Sequence, residues 1–209
     1  YIAKYVNHKN ISTYSWKDLK YKSDIQKLVS NHFYKEKSGH YDPSLNKHIA
    51  PYYDNDRNAY ASLYFLENIL VGSILNRTLR IHINKSTFNI SYIDYLCVHK
   101  GYRKKSVAPE LIQTHEYFQR TKSNKKCKVS MFKKEGVLHN FTPLTQYNTS
   151  TYNLSSLRNV CNQHNLSNLP NNYECVIFSL SIKNLLLAYL EKMRMTYSCF
   201  VIPPFETLI

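Results

Sequence analysis

Apolar and polar positions along the chain change period several times, and each change marks an element. Ile25, Leu28, Val29 and Phe33 recur at helical spacing behind Ser23-Asp24-Ile25-Gln26, which has the form of a capping box and predicts a helix at about 24–34. From Lys35 to Tyr60, Pro43, Pro51 and several Asn and Asp predict loop. Ala61–Leu66 and Ile69–Leu75 read as two strands joined by a turn at Glu67-Asn68. Arg77–Asn84 alternates, with Leu79, Ile81 and Ile83 against Arg80 and His82, as a strand with one wet face does.

Phe88–Val98 is the longest strand-like run. It leads through a loop carrying Lys100, Arg103, Lys104 and Lys105 into a helix opening near Ser106, with Leu111, Ile112, His115 and Phe118 near one face. Lys128–Phe132 predicts a further strand. Ser155/Ser156 to about Asn165 predicts a capped helix, Cys175–Leu180 a strand, Ile182–Met195 a Leu-rich helix and Tyr197–Ile202 a last strand. Residues 1–15 and Glu135–Thr149 show no clear period. The order α-ββββ-α-β-α-β-α-β indicates an α+β fold, a mixed and mostly antiparallel sheet flanked by helices. There is no internal repeat and no Ser/Gly linker, so 1–209 is expected to form one domain.

Strand, cationic loop and helix start meet at one point. Exposed backbone N–H groups, the positive end of a helix dipole and basic side chains all converge there, which suits a pyrophosphate. The net charge of +14 also raises a nucleic-acid reading. That reading is set aside because the basic residues are scattered and because Tyr, Asn, Lys and Ile are inflated together, as in an A/T-rich genome. The remaining consequence of the charge is a preference for anionic ligands. A hydrophobic content of 43% indicates a globular chain. No run approaches the ~20 apolar residues that span a bilayer. A chain that opens at Tyr1 is expected to begin downstream of its natural start.

Five cysteines without framework spacing point to a reducing compartment and a cytoplasmic location. Cys97 reads as core packing, since no base stands at a recognisable spacing for a nucleophile. Cys161-x-x-His164 is half of a zinc spacing with no evident second pair, and no metal is expected. Leu185-Leu186-Leu187 with Tyr189-Leu190 reads most simply as core, with the lining of an acyl channel as the functional alternative.

Ile93-Asp94-Tyr95-Leu96-Cys97-Val98-His99-Lys100-Gly101-Tyr102-Arg103-Lys104-Lys105-Ser106-Val107-Ala108-Pro109 closely resembles the signature of the N-myristoyltransferases, N-F-L-C-V-H-K-x-L-R-x-K-x-[LV]-A-P. Tyr14-Ser15-Trp16-Lys17-Asp18-Leu19 is similar to that family's F-x-W-x-x-L, and Leu28-Val29-Ser30-Asn31-His32-Phe33-Tyr34 to its L-L-x-x-N-Y-V. Leu70-Val71-Gly72-Ser73-Ile74 resembles L-V-G-F-I. The similarity covers about 15–153, the N-terminal half of a myristoyltransferase. Gln146-Tyr147-Asn148-Thr149-Ser150 stands at the family's R-Y-W-H-R, Asp94 at an Asn, Tyr95 at a Phe and Ser106 at an Arg.

The resemblance implies the GNAT-like acyl-CoA N-acyltransferase fold, with acyl-CoA as co-substrate, myristoyl-CoA first, and no prosthetic group. It implies transfer of a myristoyl group to the amine of an N-terminal glycine peptide. By resemblance, the backbone N–H groups of Tyr95 and Leu96 form an oxyanion hole, and Leu96 and Val98 lie on the pantetheine path. Arg103, Lys104 and Lys105 would hold the phosphates together with Ser106, Val107, Ala108 and Pro109. Candidates for the base are Asp94, through a relay, and the C-terminal carboxylate of Ile209, on a tail stiffened by Pro203-Pro204. Only 56 residues follow Asn153, too few for the family's second half. Three classes therefore stand: a compact myristoyltransferase with a lost or rebuilt second half, a non-catalytic acyl-CoA- or protein-binding module, such as a subunit of a larger assembly, and a short-chain acetyltransferase.

Overall fold

The structure is a computed structural model, and it describes residues 4–33, 42–121, 127–134, 142–146 and 179–205. Contacts divide the chain into two compact units, 1–133 with 180–209, and 134–179. The first unit contains every strand and helix named below.

In chain order these are β1 (Ile11–Ser15), α1 (Lys22–His32), β2 (Tyr60–Leu66), β3 (Ile69–Ile83), β4 (Ser86–Val98), α2 (Val107–Thr121), β5 (Ser130–Phe132), α3 (Lys183–Thr196) and β6 (Cys199–Ile202). The sheet runs β1-β2-β3-β4-β5. Strand β6 pairs with β3 at Arg80–Ile83, beyond the Asn76 limit of β2. Every pairing is antiparallel except β4 with β5.

The predicted turn at Glu67-Asn68 forms. Both residues have positive φ, 48° and 66°, as a two-residue turn matched to the strand twist demands. The two strands expected at Ile69–Leu75 and Arg77–Asn84 are one, because Asn76 stays in register opposite Tyr60 and Ile93. The expected capping box does not cap. Helix α1 starts at Lys22 behind Tyr21, whose carbonyl accepts the Ile25 N–H at 3.0 Å, and no side chain bonds the helix start. Strand β1 arises in a stretch without clear period, since only Ile11 of it is buried and its pairing with β2 creates it. A π-helical turn at Leu45–Ile49 and a 3-10 turn at Ala50–Tyr52 occupy the expected loop.

Helices cover both faces of the sheet. On one, α1 and the 50–53 turn bury Trp16, Ile25, Val29, Ile49 and Tyr53 against Leu63, Leu75, Tyr95 and Cys97. On the other, Val107 and Leu111 of α2 pack on Val71, Ile74 and Tyr64. The middle of β3 is thereby buried from both sides, which fixes its register. In α3 only Leu190 is buried, whereas Leu185 (69% exposed) and Tyr189 (55%) face outward, so the Leu-rich cluster is not core in this unit. No helix among the described residues is long and apolar enough to cross a membrane. The helix expected near 155–165 lies outside the described residues, as does most of the strand expected at Cys175–Leu180.

Candidate functional site

Three features of β4 and the loop after it define the site. The first is a bulge. Leu75 pairs with Asp94 and Ser73 with Cys97, so Tyr95 and Leu96 together oppose Ile74. The extra residue is accommodated by Tyr95 at φ 47°, a left-handed conformation that costs a bulky residue on the order of 1–3 kcal/mol. Surrounding structure over-determines it. The Tyr95 ring is buried near Phe33 and Tyr53, with centroids 6.0 and 6.5 Å away. Its carbonyl accepts from Ser73 Oγ at 3.2 Å. Its N–H donates to Asp94 Oδ1 at 2.9 Å.

The second feature is a split. Strands β4 and β5 pair only at Ser91–Ile93 with Ser130–Phe132, and β5 ends there while β4 continues to Val98. Past Ile93 the backbone of β4 therefore presents an edge with no strand beside it among the described residues. Such an edge can accept an extended ligand as an added strand. Leu96 is 37% exposed on this edge, and Val98 is half-buried against the α2 cluster.

The third feature is the basic loop. His99 continues the ladder through its N–H to the Val71 carbonyl at 2.9 Å, a 3-10 turn follows at Lys100–Tyr102, and α2 begins at Val107. Ser106 occupies the cap position, its carbonyl accepting the Glu110 N–H at 3.1 Å. The first turn of a helix leaves its N–H groups without intrahelical partners. Here these belong to Val107 and Ala108. Pro109 has no N–H, so it cannot serve as an amide donor. Lys104 and Ser106 have φ of 62° and 61°, and Lys104 and Lys105 are exposed. Lys105 Nζ lies 5.3 Å from the Tyr102 ring centroid.

Arg103 is placed differently from a free phosphate ligand. Its Nε donates to the Val98 carbonyl at 3.3 Å and a terminal guanidinium nitrogen donates to the His32 carbonyl. It ties the end of α1 to the end of β4. The His32 and His99 rings meet at a tilt of 49°, with centroids 4.0 Å apart. His99 Nδ1 accepts the Gly101 N–H at 3.1 Å, which gives that imidazole a structural role in the loop.

Asp94 is largely screened from solvent. Burial pushes its carboxyl above the usual range, while the Tyr95 N–H and the charges of Arg77 and Lys133 pull against that shift. Two neighbours were invisible in the sequence pattern. Tyr53 is fully buried, and its hydroxyl is raised well above its ordinary value by burial and then by Asp94. Arg77 lies between the rings of Tyr52 and Tyr92, 4.8 Å from each. Both tyrosines of the Tyr52-Tyr53 pair sit in the segment that reads as loop, and the aromatic doublet was the only signal. Cys97 is buried and its thiol is pushed up to about 12, a packing residue and not a nucleophile. Ile209, the 147–150 segment, Cys161 and His164 lie outside the described residues.

A mostly antiparallel sheet whose single parallel pair splays beside a bulge, with a basic loop running into a helix at the split, is the layout of the GNAT-like acyl-CoA N-acyltransferases. The chain matches the family Myristoyl-CoA:protein N-myristoyltransferase, N-terminal domain, over residues 10–132. That span is more than half of the sequence, and the chain belongs to this family.

Two crystal structures of Saccharomyces cerevisiae N-myristoyltransferase with bound myristoyl-CoA are similar to it, with TM-scores of 0.62 and 0.60. Each is 14% identical, and the alignments cover 96% and 95% of this chain. The chain spans about half the length of that yeast protein, 50% and 51% in the two alignments. At such identity the likeness speaks to the fold alone. An aminoglycoside acetyltransferase from an uncultured soil metagenomic sample is 16% identical over 81% of this chain and 92% of its own, with a TM-score of 0.43. No curated protein matches the chain.

Proposed function

We propose that the chain binds acyl-CoA at the β4 split and transfers its acyl group, a myristoyl group, to the amine of an N-terminal glycine. The observation that carries this reading is the coincidence at one strand of the Tyr95–Leu96 bulge, the open edge to Val98 and the amides of Val107 and Ala108. Pantetheine would run along Leu96–Val98, with the phosphates at Lys104, Lys105 and the α2 start. The thioester carbonyl would then lie at the bulge, where backbone N–H groups stabilise the charge that develops on its oxygen. The bound myristoyl-CoA of the yeast structures supports the choice of acyl group.

A second reading is favoured by one contact. The Tyr95 N–H already has the Asp94 carboxylate as acceptor. With that amide occupied, the chain would hold acyl-CoA without turning it over, as a binding module. A reducing compartment is proposed as its location, a reading supported by free thiols at Cys97, Cys127 and Cys199.

Calorimetric titration with myristoyl-CoA and acetyl-CoA tests the binding step, and transfer of labelled myristate to a Gly-initiated octapeptide tests the chemistry. Saturable binding of the long-chain ester with turnover that disappears when the first Gly is replaced by Ala is the expected result. Binding without turnover selects the module. Absence of saturable binding to either ester removes both readings.

A further inference from the structure

The bulge differs from a ready oxyanion site in one respect: a carboxylate is bonded to its first amide. One N–H has one proton to give, so Asp94 Oδ1, at 2.9 Å from Tyr95 N, and an acyl carbonyl cannot both take it in full. An ionised carboxylate is the stronger acceptor, because it brings a whole charge where a thioester carbonyl brings only a weak dipole. The peptide cannot simply rotate to offer a second donor. Tyr95 is locked at φ 47° with its ring in the core, and the carbonyl of the following peptide, Tyr95 O, is held by Ser73 Oγ at 3.2 Å. At this position the family signature has Asn, whose neutral amide oxygen competes more weakly.

We infer that Asp94 is a positioning residue that competes with the acyl carbonyl for the Tyr95 N–H, so that a thioester oxygen enters the bulge only when the carboxylate is neutralised or has turned away. This rests on the acyl-CoA reading of the same site and sharpens it. The competition sets how the ester's carbonyl is held, not whether the nucleotide binds, because the phosphate contacts lie elsewhere, at Lys104 to Ala108.

The groups facing Asp94 leave it poised. Arg77 from β3 and Lys133 after β5 favour its charge, as does the Tyr95 N–H, while burial opposes it and is the larger influence. Tyr53 from the 50–53 turn is neutral across the working range, since burial and Asp94 itself raise its hydroxyl. Acidification therefore weakens the competitor, and among the described residues the charged groups that act on it, Arg77 and Lys133, keep their sign.

Two non-transferable ligands separate carbonyl recognition from nucleotide recognition. One is a C14 acyl-CoA analogue with a methylene between sulfur and the ketone, and the other is the S-alkyl-CoA of equal length without a ketone. The ratio of their affinities is the carbonyl's own contribution. In the wild type at about pH 7.5 that ratio is expected near one, and in Asp94→Ala it rises up to roughly tenfold, the size of one neutral hydrogen bond. In Asp94→Asn, an isosteric variant that serves if the alanine variant does not fold, it rises by a smaller factor. Lowering the pH increases the ratio in the wild type and leaves that of Asp94→Ala unchanged. Equal ratios in wild type and variants overturn the inference while leaving acyl-CoA binding intact. Failure of both ligands to bind the wild type overturns the acyl-CoA reading, and this inference with it.

Discussion

Arg103 reaches the Val98 carbonyl with its Nε at 3.3 Å and, with a terminal nitrogen, the carbonyl of His32. The second contact closes the last carbonyl of α1, a group that a helix leaves unpaired and at the negative end of its dipole. The side chain thus ties the end of α1 to the end of β4. A residue with only a phosphate-binding role would leave the free protein's stability alone. Arg103→Ala is expected to lower stability in chemical denaturation by about 1 kcal/mol, and Arg103→Lys to recover only part of it, since an ammonium cannot bridge both carbonyls. An unchanged denaturation midpoint in the alanine variant would contradict this role.

Gly72 decides how α2 sits on the sheet. A Cβ at this position would lie 2.8 Å from Leu111 Cδ1 and 3.1 Å from Val107 Cγ1. Both partners are buried, Leu111 completely, so neither has room to withdraw. Gly72→Ala should destabilise by about 1–3 kcal/mol through overpacking. Because α2 also presents the Val107 and Ala108 amides, affinity for myristoyl-CoA should fall in the same variant. Adding Leu111→Ala should return part of the stability, and a double-mutant cycle that shows simple additivity would exclude the contact.

His115 predicts an acid limb in stability. It is 1% exposed on α2, with Nδ1 2.8 Å from Ser62 Oγ and its ring stacked on Tyr60. Burial lowers its value from 6.5 to about 3. Between those values the unfolded chain binds a proton that the folded chain refuses. This contribution is therefore full above about pH 6.5 and falls by about 1.4 kcal/mol per pH unit between there and about pH 3. His82, held below its ordinary value by burial and then by Arg194 and Arg80, adds in the same direction. Urea unfolding of the wild type and His115→Asn at several pH values isolates the first contribution. Parallel pH profiles for the two proteins would refute it.

Cys97 should be inert in the native protein. Its thiol is buried between α1 and the sheet, with Sγ 3.6 Å from the Leu28 carbonyl, and its value is pushed up to about 12. Iodoacetamide at neutral pH, read by peptide mapping, should label Cys127 and Cys199, which are partly exposed, well before Cys97. Acyl transfer, where present, should survive Cys97→Ser. Loss of transfer with the fold retained would return Cys97 to the chemistry.

The elements legible from the chain were those with local causes. The 67–68 turn, the helices near 24–34, 106 and 182–195, and the run ending at Val98 all follow from period, turn residues and length. Strand β1 was not legible, because Ile-Ser-Thr-Tyr-Ser has one buried residue and becomes a strand only beside β2. The fusion of β3 through Asn76 was hidden for a related reason. A buried amide reads as a break until its partners appear, and these are the Asn58 carbonyl, 3.4 Å from Nδ2, and the Ser91 hydroxyl, which donates to Oδ1.

At the site the division is the same. Periodicity and the signature around Tyr95 and Arg103 established an acyl-CoA-type fold and the strand that matters, because both are written in residues adjacent along the chain. Tertiary packing alone decided where the donors go: Tyr95 N–H to Asp94 at a bulge opposite Ile74, and Arg103 to His32, 71 positions away. The Arg103–His32 bond depends on how α1 is laid on the sheet, and the Tyr95–Asp94 bond, although between neighbours, depends on the bulge that pairing with β3 imposes; no local pattern carries either.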